Sequence, residues 1–232
     1  DFKKAGIHTQ YILTSESEET GQAFITVDEA GQNTILVYGG ANMTLSATDV
    51  EMSVDAFIGA DFVVAQLEVP FEAIEQAFKI ARKQNITTVL NPAPAIELPK
   101  SLLELTDIII PNETEAELLT GISINNESDM KETATYFLNL GISAVLITLG
   151  EQGTYCAYQE QYKMIPACNV KAIDTTAAGD TFIGAFLSEL NKDLSNLESA
   201  IRLANQASSL TVQRKGAQAS IPTRKEVEAE YN

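Results

Sequence analysis

Two segments near the start of the chain, 22–28 and 33–38, alternate apolar with polar or small residues, and Asp28-Glu29-Ala30-Gly31 between them has turn chemistry. A period of two places alternate side chains on opposite faces of a strand, so this pattern predicts a β-hairpin. From Asp61 onward the pattern changes. Short apolar runs at 62–66, 87–90, 107–110 and 144–148 predict strands, and helical spacing at 71–83, 113–119 and 129–140 predicts the helices between them. Strand-helix alternation implies a parallel sheet covered on both faces. The last third returns to short strands at 154–158 and 162–165, then predicts two long helices starting near Ala178 and Leu197. At the other end, 1–7 reads as the tail of a helix entering a strand. With Asp1 rather than Met in first place, the chain is expected to lack its true beginning.

A chain of 232 residues, 45% of them apolar, is long enough for one substantial core. Its two cysteines, Cys156 and Cys168, have no metal-like spacing and form no disulfide framework, so they read as small core residues in a reducing cytoplasm. No apolar run approaches the roughly 20 residues of a membrane span, and no secretory core follows the first residues, so no membrane partner is expected. The formal charge of -17, without clustered Lys or Arg, argues against a nucleic-acid partner. The single histidine, His8, reads as structural, which removes His-dependent triads and multi-histidine zinc sites.

In open α/β sheets, ligands sit beyond the carboxyl ends of the strands. Those positions hold Glu68, Asn91, Asn112, Gly150 and Asp174. The richest stretch is Asp174-Thr175-Thr176-Ala177-Ala178-Gly179-Asp180, where small residues let the backbone turn sharply into a helix whose first N–H groups form an anion site. Asp180 could accept a hydroxyl proton while the Ala178 and Gly179 amides hold a phosphoryl group; equally, an acid in a first turn complements the helix dipole. Asn112 and Glu115 have capping-box spacing. The glycines of Thr148-Leu149-Gly150-Glu151-Gln152-Gly153 suit a hairpin turn. Glu68 reads as an acid at the entry of a helix. No Gly-x-x-x-x-Gly-Lys-Ser/Thr phosphate loop is present.

The 174–180 segment resembles the carboxyl-terminal signature of the ribokinase family of carbohydrate kinases. Four further segments resemble the same family in the same order: Asn91-Pro92-Ala93-Pro94-Ala95, Pro111-Asn112-Glu113-Thr114-Glu115-Ala116-Glu117, the 148–153 loop and Arg214-Lys215-Gly216-Ala217-Gln218. The resemblance covers essentially the whole chain. It implies a three-layer α/β/α fold, one domain over 1–232, with a mostly parallel sheet and a β-hairpin lid at 18–40. It also implies ATP-dependent phosphorylation of a sugar, D-ribose at O5, with Asp180 as base and Gly179 and Ala178 in the anion hole. A methyl at Ala177, where many relatives have Gly, is tolerable if φ there is negative. By the same resemblance Asn112 contacts the nucleotide phosphates and Glu115 helps hold hydrated Mg²⁺. Thr148, Leu149, Gly150, Glu151 and Gly153 pass along the ATP with Asn205 nearby, and Glu68 holds a ribose hydroxyl. Asp174, Thr176, Thr211, Arg214, Gly216 and Ser220 match positions surrounding a monovalent cation, K⁺. The lid is expected to form a homodimer contact. Gly39-Gly40 does not occupy the place of the family's amino-terminal sugar-binding glycines and reads as a hinge or turn. A kinase for another sugar or a nucleoside, or a truncated nucleotide-binding fragment without activity, remains open.

Overall fold

The computed structural model describes residues 2–27 and 33–231. Strands β1 (Gln22–Val27) and β2 (Asn33–Tyr38) pair antiparallel, with Gln22 opposite Tyr38, as the alternation predicts. The expected turn at 28–31 lies outside the described residues. Gly40, at φ 52, opens a short 3-10 turn directly after β2, in keeping with the turn expected at Gly39-Gly40. A short helix, α1 (Ala47–Met52), comes next.

The main body runs β3 (Phe62–Ala65), α2 (Phe71–Lys83), β4 (Thr87–Leu90), α3 (Lys100–Glu104), β5 (Ile108–Ile109), α4 (Glu113–Thr120), α5 (Glu127–Asn139) and β6 (Ala144–Thr148). It continues through β7 (Thr154–Tyr158), β8 (Gln161–Ile165), α6 (Ala178–Glu189), α7 (Leu197–Thr211) and α8 (Arg224–Tyr231). The six strands stand in chain order, β3 to β8; β3 to β6 are parallel and β7 and β8 antiparallel. The sheet is therefore mixed at one side. β3 is an edge strand among the described residues, with Val64 46% exposed.

Alternation along the strands divides the core in two. Leu90, Ile109, Val145, Ile147, Tyr155 and Ala157 pack with Ile74 and Phe78 of α2, Leu102 of α3, Ala116 of α4 and Phe137 of α5. Their strand neighbours Val89, Ile108, Ala144, Leu146 and Cys156 pack instead with Phe182 and Phe186 of α6 and Ile201 and Ala204 of α7. A period of two in the strands thus builds three layers, helices on either side of one sheet.

Three expectations change. β5 is shorter than 107–110; at its start the Asp107 carboxylate accepts the Thr88 N–H and hydroxyl, each at 2.9 Å. Cys168 is only half-buried and lies outside the core, whereas Cys156 is buried, which pushes its thiol up to about 12. Phe2 to Ile7 enters no strand; Ile7 N–H donates to Phe2 O at 3.0 Å and Gly6 N–H to Lys3 O at 3.2 Å. With Gly6 at φ 81, that pair is the pattern that ends an α-helix, so the helix-tail half of the reading has a physical basis. His8 is exposed and in no regular element. Among the described residues no helix is long and apolar enough to cross a membrane.

Candidate active site

The start of α6 carries a strained backbone. Its N-cap, Ala177, sits in the left-handed region at φ 61, ψ 12. This corrects the expectation of a negative φ there: the chain must reverse from the 174–176 loop into a helix within one residue. For a residue with a β-carbon the region costs about 1–2 kcal/mol. Ala177 provides no side-chain cap, so the N–H groups of Gly179 and Asp180, in the first turn, have neither cap nor intrahelical acceptor. The Ala178 N–H differs, because it donates to Thr175 O at 3.2 Å; this corrects the expectation that it stands free beside Gly179. A β-carbon added to Gly179 would meet no protein atom within 4 Å. Packing therefore does not explain that glycine, and the space in front of it is open to a ligand. Asp180 is exposed in the same turn.

α7 holds this turn from behind. The Ser208 hydroxyl donates to Ala178 O at 3.0 Å, and the Thr211 hydroxyl donates to the Thr181 hydroxyl at 3.0 Å. The loop before α6 is fastened to the loop after α7, since Ile173 and Asp174 N–H both donate to Val212 O, at 2.7 and 3.1 Å. One Asp174 oxygen accepts the Thr176 N–H at 2.9 Å and the other the Gly216 N–H at 3.0 Å. Hydrogen bonds from Thr176 and Gly216, with Lys215 nearby, lower the Asp174 carboxyl to about 2, so it stays ionised.

Of the six residues expected around a cation, the structure joins Asp174, Thr176 and Gly216 directly. Thr211 is buried, and Arg214 follows it in one turn, its N–H donating to Thr211 O at 3.0 Å; its guanidinium pairs with Glu226 at 2.8 Å. Ser220 is buried with its hydroxyl on Ala217 O at 2.6 Å, and no hydrogen bond joins it to Asp174.

A second group stands at the ends of β5 and β6. Asn112 caps α4 with Glu115 in a complete capping box: Asn112 Oδ1 accepts the Glu115 N–H at 2.8 Å, and Glu115 Oε2 accepts the Asn112 N–H at 2.9 Å. Glu115 Oε1 accepts the Asn112 side-chain amide at 2.9 Å. Burial raises the Glu115 carboxyl, against the Asn112 N–H, which lowers it. Each Glu115 oxygen retains acceptor capacity for a water. The described residues contain no group of three or more His, Cys, Asp or Glu that could hold a metal ion. A carboxylate of this kind fits Mg²⁺ that keeps its waters and is held mainly by substrate phosphates.

Thr148 lies beside Asn112 in a parallel bridge, with its N–H on Pro111 O at 2.9 Å. The 148–153 segment turns β6 into β7, closed by the Leu149 N–H on Gly153 O at 2.8 Å. Gly153 has a local cause, φ 110, and a β-carbon there would stand 2.5 Å from Ala167 N. Gly150, at φ 54, and the exposed Glu151 form the outer part of the turn, and Leu149 is buried. Asn205 is buried and its amide is spent on protein. Oδ1 accepts from the Thr154 hydroxyl at 2.9 Å, and Nδ2 donates to Ile165 O and Pro166 O at 3.1 and 3.2 Å. Glu68 is exposed after β3, next to Leu67, whose N–H donates to Ala93 O at 2.8 Å.

One further polar contact, not expected from the residues, stands here: Asn91 Nδ2 donates to Ile110 O at 2.8 Å. The signal for it is the Asn91-Pro92 pair, because a proline ends the main-chain ladder.

The chain is similar to known proteins along most of its length. Residues 1–224 match the family model described as pfkB family carbohydrate kinase. The chain is 63% identical to a ribokinase of Staphylococcus aureus (strain COL) over 98% of its own length and 75% of the relative's. It is 44% identical to a ribokinase of Haemophilus influenzae over 97% of its length and 73% of the relative's. The structure of Arabidopsis thaliana ribokinase complexed with ribose and ATP superposes with a TM-score of 0.86 at 33% identity, covering 97% of this chain and 73% of that one. With a family match over residues 1–224, two such relatives and a shared three-layer fold, the chain belongs to the pfkB family of carbohydrate kinases.

Proposed function

We propose that this chain transfers the γ-phosphoryl group of ATP to O5 of D-ribose, giving ribose 5-phosphate and ADP. The observation that carries the choice of substrate is the 63% identity to a ribokinase along 98% of the chain. The geometry supports the chemistry, which needs positioning and charge neutralisation more than covalent catalysis. Asp180 takes the proton from O5, and the uncapped N–H groups at the start of α6 hold the transferring phosphoryl group. Asn112 meets the phosphates, and the 148–153 turn lines the nucleotide, with Asn205 behind it bracing the start of β7 against the end of β8 rather than meeting the ligand. Glu68 accepts a ribose hydroxyl. Mg²⁺, when bound, neutralises phosphate charge, and Glu115 accepts hydrogen bonds from its waters.

The proposal extends to K⁺ beside Asp174, Thr176, Thr211, Arg214, Gly216 and Ser220. Its support is the ionised Asp174 at the junction of the two loops. Turnover is expected to be higher in K⁺ than in Na⁺, and equal turnover contradicts that part. We also take 1–232 as one domain of a cytoplasmic protein, with 18–40 as a lid through which two copies pair. Phe24, Leu36, Val37 and Tyr38, all exposed on the hairpin, support that pairing. The test of the activity is ADP release with a panel of pentoses, hexoses and nucleosides. Release with ribose above the others is expected. No release with any of them overturns the proposal.

A further inference from the structure

We infer that Asn91 is a positioning residue for the phosphate end of the nucleotide site. The inference rests on the function proposed above. β4 and β5 are parallel, with Leu90 opposite Ile109, and the Ile110 N–H donates to Leu90 O at 2.9 Å. In that register the next donor to Ile110 O is the N–H of residue 92. Residue 92 is proline and has none. The Asn91 side chain supplies the missing donor, its Nδ2 lying 2.8 Å from Ile110 O, while its own N–H stays in the ladder on Ala65 O at 3.0 Å.

The position of this substitute matters because of the two residues after Ile110. Pro111 cannot donate, and the Asn112 N–H is turned into the capping box on Glu115. On the β6 side the segment is held by main chain, with Thr148 N–H on Pro111 O at 2.9 Å. On the β4 side two hydrogen bonds hold Ile110, directly before Pro111-Asn112: its N–H on Leu90 O at 2.9 Å, and the Asn91 amide on its carbonyl, the later of the two along the chain. Asn91 therefore helps set where Asn112 and Glu115 stand relative to the carboxyl ends of β3 and β4, without touching the nucleotide itself.

The test is Asn91→Leu, which keeps the bulk and removes the donor, in the full-length protein, with the dissociation constant of Mg²⁺·ATP read by calorimetry and KM read for both substrates. Losing one such hydrogen bond should weaken Mg²⁺·ATP binding about 3- to 10-fold, raise KM for ATP in step, and leave KM for ribose unchanged. Asn91→Ala carries the same test if leucine prevents folding. Unchanged ATP binding, or an equal rise in both KM values, overturns the inference. A wild-type protein that neither binds Mg²⁺·ATP nor releases ADP overturns the proposed function itself, and shows it before any variant is made.

Discussion

The carboxylate of Asp174 accepts the N–H of Gly216, 42 residues further along the chain, at 3.0 Å. Its second oxygen accepts the Thr176 N–H at 2.9 Å, so one side chain latches the loop entering α6 to the loop leaving α7. These hydrogen bonds lower its pKa from 3.8 to about 2. A depressed carboxyl pKa contributes stability that is complete above the unfolded value and is lost as pH falls through the folded one. Asp174→Ala should therefore unfold at lower temperature than wild type at pH 6, with the gap closing between pH 4 and pH 2. Thermal unfolding across that range checks it, and a gap independent of pH contradicts the latch.

Glu115 has the opposite sign. Burial raises its pKa, so protonation favours the fold, and that contribution disappears as pH rises past the raised value. Glu115→Gln keeps a capping partner for Asn112 without a buried charge. It should be at least as stable as wild type at pH 8, yet require more Mg²⁺ for half-maximal ADP release. Thermal unfolding at pH 8 together with a Mg²⁺ titration checks both halves.

At position 177, glycine should relieve the left-handed strain. Part of the gain is returned through the greater freedom of glycine in the unfolded chain, leaving a stabilisation of about 0.5–1 kcal/mol. The midpoint of urea unfolding for Ala177→Gly reads this. A clear loss of stability would mean the turn is not strained.

Gly179 separates packing from function. A β-carbon there meets no protein atom within 4 Å. Gly179→Ala should fold as well as wild type, or gain up to about 1 kcal/mol from helix propensity. Because the methyl group occupies the space in front of the free amides, ADP release should still fall by about 10-fold or more. Unfolding and turnover measured on one preparation decide the matter.

Much of this was legible in the residues. α2, β4, β6 and β7 fall on their predicted bounds because sustained apolar patterns correspond to buried faces: Ile74 and Phe78 in α2, and Val145 and Ile147 in β6. α1 and α8 were invisible to periodicity, since α1 buries no residue and α8 buries Val227 alone. Their signals are local. Ser46 with Asp49 and Thr223 with Glu226 form reciprocal caps, which the spacing alone could have announced. At the site, the Asn112 and Glu115 box was readable for the same reason. The φ of Ala177 and the Asp174 to Gly216 bond were not, because both depend on how distant loops approach one another. The Asn91 brace lies between these cases: Pro92 shows that a donor is missing, and only the sheet register shows where.

The proposed phosphoryl transfer depends on Asp180 acting as the base for ribose. The most direct measurement compares ADP release with ribose and ATP for wild type and Asp180→Asn, with the affinity for Mg²⁺·ATP measured on the same samples. A fall in turnover of about 10²- to 10⁴-fold is expected, with nucleotide affinity nearly intact. Near-normal turnover in the variant would contradict it.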